Sequence, residues 1–275
     1  MSELPPCLLA VHAHPDDEAL FTGVAHLLGS RQGVRQVVVT CTNGSLGFDP
    51  LGRDPFADDH DRAGTAVRRA TELEQAARAL AVDRAVTLGY HDSGMDGWPQ
   101  NDDPASFIRQ DLEVVAARIA EVLREEQPAV VLTYGPDGFY GHPDHVATHQ
   151  ATMAAVAEVD CVERVYYVAW SAERVAFALA LADELGSALP AWLGGGTIAH
   201  LEVADVVLDG TDVAEAKHRG LAAHHSQVDL ADLVALDEDL FAKVFGVEEY
   251  VLGWSRDKTA PVGQDFFGGL VTPGK

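Results

Sequence analysis

Positive charge is scarce in this chain. Across 275 residues, 19 Lys and Arg face 43 Asp and Glu, for a net charge of −24. Such a surface repels phosphate backbones and anionic headgroups, so neither nucleic acid nor a membrane is expected as a partner. Cysteine is scarce too. Cys7, Cys41 and Cys161 are far apart and form no CxxC pair, which argues against a disulfide framework or a thiolate zinc site. Cys7 and Cys41 fall inside apolar runs and read as small buried hydrophobes. No apolar run is long enough to span a bilayer, and residues 1–6 lack the basic start of an export signal. A cytoplasmic, reducing setting is the expectation. Repeats, low-complexity tracts and a clear linker are missing as well. The chain therefore reads as one domain over residues 1–275, with room left for a homo-oligomer.

What is present is an alternation. Cys7–His12, Gln36–Thr42, Ala85–Tyr90, Ala129–Tyr134 and Arg164–Trp170 are short apolar, largely β-branched runs that predict buried strands. Helical spacing lies between them: from about Pro15 to Leu28, through Val67, Ala70, Leu73, Ala77 and Leu80, and through Ile108, Leu112, Val115, Ile119 and Val122. Strands that are apolar throughout and alternate with helices predict an α/β fold, a Rossmann-like, mostly parallel sheet with helices on both faces. The core is expected over about residues 7–170. An irregular C-terminal extension over about 171–275 should hold a strand near Leu201–Leu208 and another near Glu249–Leu252. Two aperiodic segments, Asn43–Gly64 and Asp92–Asp103, follow predicted strands. They belong at the carboxyl edge of the sheet, where ligands of open α/β sheets bind.

One tripeptide occurs twice at such edges. His14-Pro15-Asp16-Asp17-Glu18 follows the first strand, and His142-Pro143-Asp144-His145 follows the fourth. Proline at the first helical position with acids in the first turn is an ordinary helix start. That accounts for Pro and Asp but not for histidine before proline in both places. Imidazole and carboxylate are the usual nitrogen and oxygen ligands of Zn2+, and three protein ligands leave a position for water. His14, Asp17 and His145 supply such a set, which also suits Fe2+. Asp16 is then placed to act as general base beside the metal. A dinucleotide-binding oxidoreductase is the contrasting reading. It would need a glycine-rich first turn, but here that turn has no glycine and two carboxylates.

These segments resemble the PIG-L/LmbE family of zinc-dependent de-N-acetylases. Arg69-x-x-Glu72 followed by Ala76-Ala77-x-x-Leu80 resembles the family's helix after the long loop. Gly89-Tyr90-x-Asp92-Ser93-Gly94-Met95 and the run from Tyr134 to His145 resemble its mycothiol deacetylase and amidase branch. Lys217 and His224-His225-Ser226-Gln227 resemble a later signature. The resemblance implies His14, Asp17 and His145 as metal ligands and Asp16 as general base. It implies that His142 stabilises the oxyanion or protonates the leaving amine, with Asp144 orienting it. Tyr140 would polarise the amide carbonyl, and Arg69 and Asp92 would contact the sugar. The implied reaction removes an acetyl group from a GlcNAc-inositol-like, small-molecule amino-sugar conjugate, giving acetate and a free amine. A mycothiol S-conjugate amidase is the alternative within the same chemistry. His91 and Phe139 depart from the mycothiol branch, which has Arg and Gly there.

Other residues read more plainly. His149 fits an apolar stripe with Val146 and Met153 and is expected to pack. His12 alternates with His14 and should face the core. His224 and His225 are placed between pocket and packing. Trp98, on the second loop, is a better candidate than Trp192 for stacking on a sugar ring.

Overall fold

The computed structural model describes residues 6–187, 189, 204–227, 230–259 and 266. Among these residues, seven strands build one sheet in the order β3-β2-β1-β4-β5-β7-β6. They are β1 Cys7–His12, β2 Arg35–Thr42, β3 Arg84–Tyr90, β4 Val130–Thr133, β5 Arg164–Ala169, β6 Val206–Asp209 and β7 Val247–Ser255. The first five pair in parallel, and β7 runs antiparallel to both β5 and β6. The described part of the C-terminal extension thus widens the sheet. Residues 201–203 of the strand expected at Leu201–Leu208 lie outside the described residues, as do Trp192 and His200.

Side-chain alternation along β1 splits the core in two. Leu8 and Ala10 join one apolar cluster, and Cys7, Leu9 and Val11 join the other. Both faces are therefore covered, as the unbroken apolar strands require. Helices α4 (Leu112–Glu126) and α6 (Pro143–Ala157) cover the second face with Ile119, Leu123, Ala151 and Ala155. Helices α1 (Asp17–Phe21), α2 (Gly23–Arg31), α8 (Ala214–Ala223) and α10 (Glu238–Phe245) cover the first. The remaining α-helices among the described residues are α3 (Arg62–Ala79), the distorted turn α5 (Gly138–Gly141), α7 (Ala172–Glu184) and the short α9 (Ala231–Val234).

Three boundaries differ from the sequence expectation. The helix expected from Pro15 to Leu28 is two helices. Thr22 separates them, its hydroxyl donating to the Glu18 carbonyl at 3.2 Å and meeting His12 Nε2 at 2.8 Å. A threonine that bonds back to its own turn competes with the helical ladder. Ile108 keeps the spacing of α4 but sits in a separate 3-10 turn, Phe107–Arg109. The helix proper starts after Asp111, whose carboxylate accepts the Glu113 N–H. The loop after β2 ends at Asp61, which caps α3 through the Gly64 N–H, so Arg62–Gly64 is helix.

Lys217, part of the late signature, is buried beside the end of β5 and the start of β7. Its Nζ is 2.7 Å from Glu248 Oε1. The Glu248 carboxylate also accepts the N–H groups of Val24 and Ala25 at 2.9 and 3.0 Å and the Tyr250 hydroxyl at 2.6 Å. These amides are among the open donors at the start of α2, so the carboxylate both caps the helix and faces its dipole. Replacing Lys217 with Met would leave a buried carboxylate without its cation, at a cost of about 3 kcal/mol. A urea unfolding curve should show that loss, and an unchanged midpoint would refute the structural role.

Candidate active site

The order of the sheet reverses between β1 and β4, which leave the centre in opposite directions along the chain. A crevice opens at such a switch point, beyond the carboxyl ends of the strands. Here it is a cavity of about 190 Å³ whose wall includes His14, Asp16, Asp17, Arg69, Asp92, Tyr140 and His142. His145 and Asp144, fully buried, lie beneath it. All nine residues singled out from the sequence therefore converge.

The Asp17 carboxylate is the centre of the cluster. Its Oδ2 is 3.4 Å from His14 Nδ1, and its Oδ1 is 3.5 Å from His145 Nε2. Each imidazole is oriented through its opposite nitrogen. His14 Nε2 is 3.1 Å from Asp144 Oδ2, and His145 Nδ1 is 3.1 Å from the Gly138 carbonyl. Both of those partners are acceptors, so those ring nitrogens carry the hydrogens. His145 Nε2 is left bare, buried and without a hydrogen-bond partner. Burial drives the pKa of His145 down to about 3, although Asp17 pulls the other way. A neutral imidazole lone pair thus faces a carboxylate with no hydrogen between them. An acceptor pair closed off from water asks for a cation. One donor atom from each of His14, His142 and His145 lies within 4.8 Å of the others, and the same holds for His14, Asp92, His142 and Asp144.

Local backbone makes this possible. Gly138 has φ +69°, and a Cβ there would meet the Val146 N and the His145 Cβ at 3.0 and 3.1 Å. Only glycine brings the accepting carbonyl close enough. Phe139 follows at φ 70°, ψ −56°, a strained conformation for a side chain, and packs on Phe21 at 5.0 Å between ring centroids. His142 caps α6. Its Nδ1 accepts the Asp144 N–H at 3.1 Å, so the neutral ring carries its hydrogen on Nε2. Burial, with His14 and His145 nearby, holds its pKa well below the ordinary histidine value. It is the Asp144 main chain that meets His142. The Asp144 carboxylate goes instead to His14 Nε2 and the Ser93 N–H, the latter at 2.9 Å.

Asp16 sits at φ 133°, ψ −27°. Arg69 Nη2 donates to its Oδ2 at 2.6 Å and also to the Pro15 carbonyl, while Nη1 donates to the Gly44 carbonyl at 3.0 Å. Much of the Arg69 guanidinium is thus spent on the protein. Burial pushes the Asp16 pKa up to about 7, against the pull of Arg69. Asp92 lines the crevice, and its carboxylate accepts the Gly94 N–H at 2.9 Å.

Several residues escaped the sequence reading. Tyr134, at the end of β4, donates its hydroxyl to Asp17 Oδ2 at 2.7 Å and stacks on His145 at 4.0 Å. The sequence offered only its place at a strand end and at the head of the run from Tyr134 to His145. Gln227 lines the crevice, though the sequence offered only its place in the late signature. Trp98 lines it too, with the exposed Phe56 edge-on to it at 4.5 Å between ring centroids. His224 lies behind the wall against Glu18, and His225 is exposed. His149 packs against Tyr167 and meets the Tyr134 carbonyl at 2.9 Å.

Fold and site together define the class: an α/β protein with a buried nest of imidazoles and carboxylates at the switch point of its sheet. The chain belongs to the PIG-L family, since the profile described as "PIG-L: GlcNAc-PI de-N-acetylase" matches residues 9–156. It is 36% identical over 282 residues to a 1D-myo-inositol 2-acetamido-2-deoxy-alpha-D-glucopyranoside deacetylase of Acidothermus cellulolyticus, covering 96% of this chain and 94% of that one. It is 38% identical over 291 residues to the protein of the same name from Mycobacterium sp. strain KMS, covering 95% and 92%. Among solved structures, N,N'-diacetylchitobiose deacetylase from Pyrococcus horikoshii superposes with a TM-score of 0.55 at 20% identity, over 90% of this chain and 83% of that one. The 4-carboxy-2-hydroxymuconate hydratase GalB of Pseudomonas putida does so with 0.60 at 20%, over 93% and 99%. At such identities these two establish the fold alone. No helix among the described residues is long and apolar enough to cross a membrane.

His12, behind the site, offers a test. It is fully buried between Thr22 and Tyr134, and burial lowers its pKa to about 4 against the pull of Asp17 and Glu18. Below the ordinary histidine value of about 6.5 the unfolded chain takes up a proton that the folded chain refuses. The stability tied to neutral His12, about 3 kcal/mol, should be present above pH 6.5 and fade as pH falls to 4. In urea titrations, His12→Asn should flatten the decline over that window. An unaltered slope would contradict the assignment.

Proposed function

We propose that this protein is a metal-dependent hydrolase that removes the acetyl group from a GlcNAc-inositol-type amino-sugar conjugate. The names of relatives matching it over nearly their whole length support the reaction and the substrate. The single observation that carries the metal reading is the bare, buried His145 Nε2 facing the Asp17 carboxylate, whose other oxygen meets His14 Nδ1 at 3.4 Å. In this reading His14, Asp17 and His145 hold a divalent cation, zinc or iron(II). When bound, the cation polarises the amide carbonyl and lowers the pKa of a water molecule towards about 7.

The chain's own groups do the rest. Asp16, raised to about 7 by burial, is matched to proton transfer near neutrality. It takes a proton from the attacking water at Oδ1, since Oδ2 is held by Arg69. The same oxygen returns the proton to the departing amine. His142 stays neutral because its pKa is depressed, and its Nδ1 already accepts a hydrogen. Its Nε2–H is therefore a donor aimed at charge that develops on the carbonyl oxygen, and it supplies no proton. Tyr140 borders the same space. Asp144 fixes the ring of His14, Asp92 offers a carboxylate to sugar hydroxyls, and Arg69 orients the base at the edge of the sugar subsite.

The test is acetate release from GlcNAc-inositol and other GlcNAc conjugates, with S-conjugates as a comparison arm. Activity should vanish with chelator and return with zinc or iron(II). A metal-loaded protein that releases no acetate from any of them would end the proposal. Asp16→Asn should keep its metal by elemental analysis and lose about 10²–10⁴-fold in turnover. His14→Ala should lose the metal itself.

A further inference from the structure

We propose that Glu18 and His224 are positioning residues for Asp16, and that residues 224–227 form a clamp holding the base from two sides. The inference rests on the role given to Asp16 above.

Asp16 needs holding. A side-chain-bearing residue at φ 133° costs on the order of 1–3 kcal/mol and persists only where its surroundings enforce it. One restraint comes from α1. The Asp16 N–H donates to Glu18 Oε2 at 2.9 Å. The Glu18 side chain is fully buried, and a carboxylate in that position needs a partner. The partner is His224, equally buried, whose Nε2 is 2.7 Å from Glu18 Oε1. His224 stands at the C-terminus of α8, more than two hundred residues further along the chain. It does not line the crevice, so it acts through Glu18.

The second restraint comes from α3. Arg69 binds the Asp16 carboxylate and the Pro15 carbonyl. Three residues on, Glu72 accepts the Ser226 N–H at 3.0 Å and the Ser226 hydroxyl at 2.7 Å. Arg69 and Glu72 lie one turn apart on the same helix. The segment that supplies His224 to α1 therefore supplies Ser226 to α3, and Gln227 completes the crevice wall. The Lys217–Glu248 pair makes the contrast clear. It too is buried, but its carboxylate is spent on α2 and Tyr250 and makes no hydrogen bond to Asp16.

The experiment compares His224→Ala, His224→Gln and Lys217→Met in the metal-loaded full chain. His224→Ala should lower kcat by about 10- to 100-fold, the scale expected when a reacting group is displaced by an ångström. KM and bound metal should be unchanged. His224→Gln keeps an N–H for Glu18 and should restore most of the rate, as should added imidazole with the alanine variant. Lys217→Met should lose stability yet keep its kcat per folded molecule. A crystal structure of His224→Ala should show Asp16 leaving φ near 133°. An unchanged kcat in folded, metal-loaded His224→Ala overturns the proposal, as does a loss that merely follows stability. If the wild type releases no acetate, the deacetylase reading fails. The crystal structure then decides the positioning claim alone, and an unmoved Asp16 refutes it.

Discussion

A buried carboxylate facing the bare lone pair of one imidazole, with a second imidazole against its other oxygen, is the constraint on which the rest of the molecule depends. Asp17 cannot satisfy His145 Nε2, because neither atom has a hydrogen to offer. In an aqueous setting water would resolve the conflict. Here burial removes water, so the arrangement is tolerable only if a cation belongs in it. The surrounding contacts all preserve this unsatisfied state. Gly138 and Asp144 take the opposite ring hydrogens, and the Tyr134 hydroxyl and the His14 N–H fix the carboxylate at 2.7 Å each. A parallel sheet with its switch point between β1 and β4 is what brings these groups from distant parts of the chain to one place.

Strain gathers around the same point. Asp16 and Phe139 both hold positive φ without being glycine, one on each side of the nest. Each is over-determined by neighbours: Asp16 by Arg69 and Glu18, Phe139 by Phe21. The stability released elsewhere in the core sustains these local costs. The C-terminal part of the chain contributes to both tasks. Through β7 it extends the sheet and caps α2, and through residues 224–227 it ties α1 to α3.

Legibility followed the range of the physics. The strands could be read because a β-branched apolar run buried on both faces has few other solutions, and β1 falls at Cys7–His12 as expected. Ile108 misled because apolar spacing records which face is buried but not where the backbone stops being helical. Asp111 and its cap decided that. Thr22 broke a helix through a hydroxyl whose partners, Glu18 and His12, are local in one case and set by packing in the other. In the site, the paired His-Pro-Asp segments were visible because ligand chemistry restricts residue types. The roles of Tyr134, Glu18 and Ser226 were not, since tyrosine, glutamate and serine serve many purposes and only their neighbours give them this one. Asp144 shows the limit best: its carboxylate turns to His14, while its main chain meets His142.

The sequence by itself determined the layered α/β scaffold and the chemical character of the nest, because periodicity and ligand type are properties of short segments. Tertiary structure decided that Nε2 of His145 is bare, which carboxylate orients which ring, and that His224 stands behind the base while His149 packs elsewhere. The pairings of His14 with Asp144 and of His224 with Glu18 join residues more than a hundred positions apart. No local pattern encodes them, and they exist only once the two faces of the sheet have been buried.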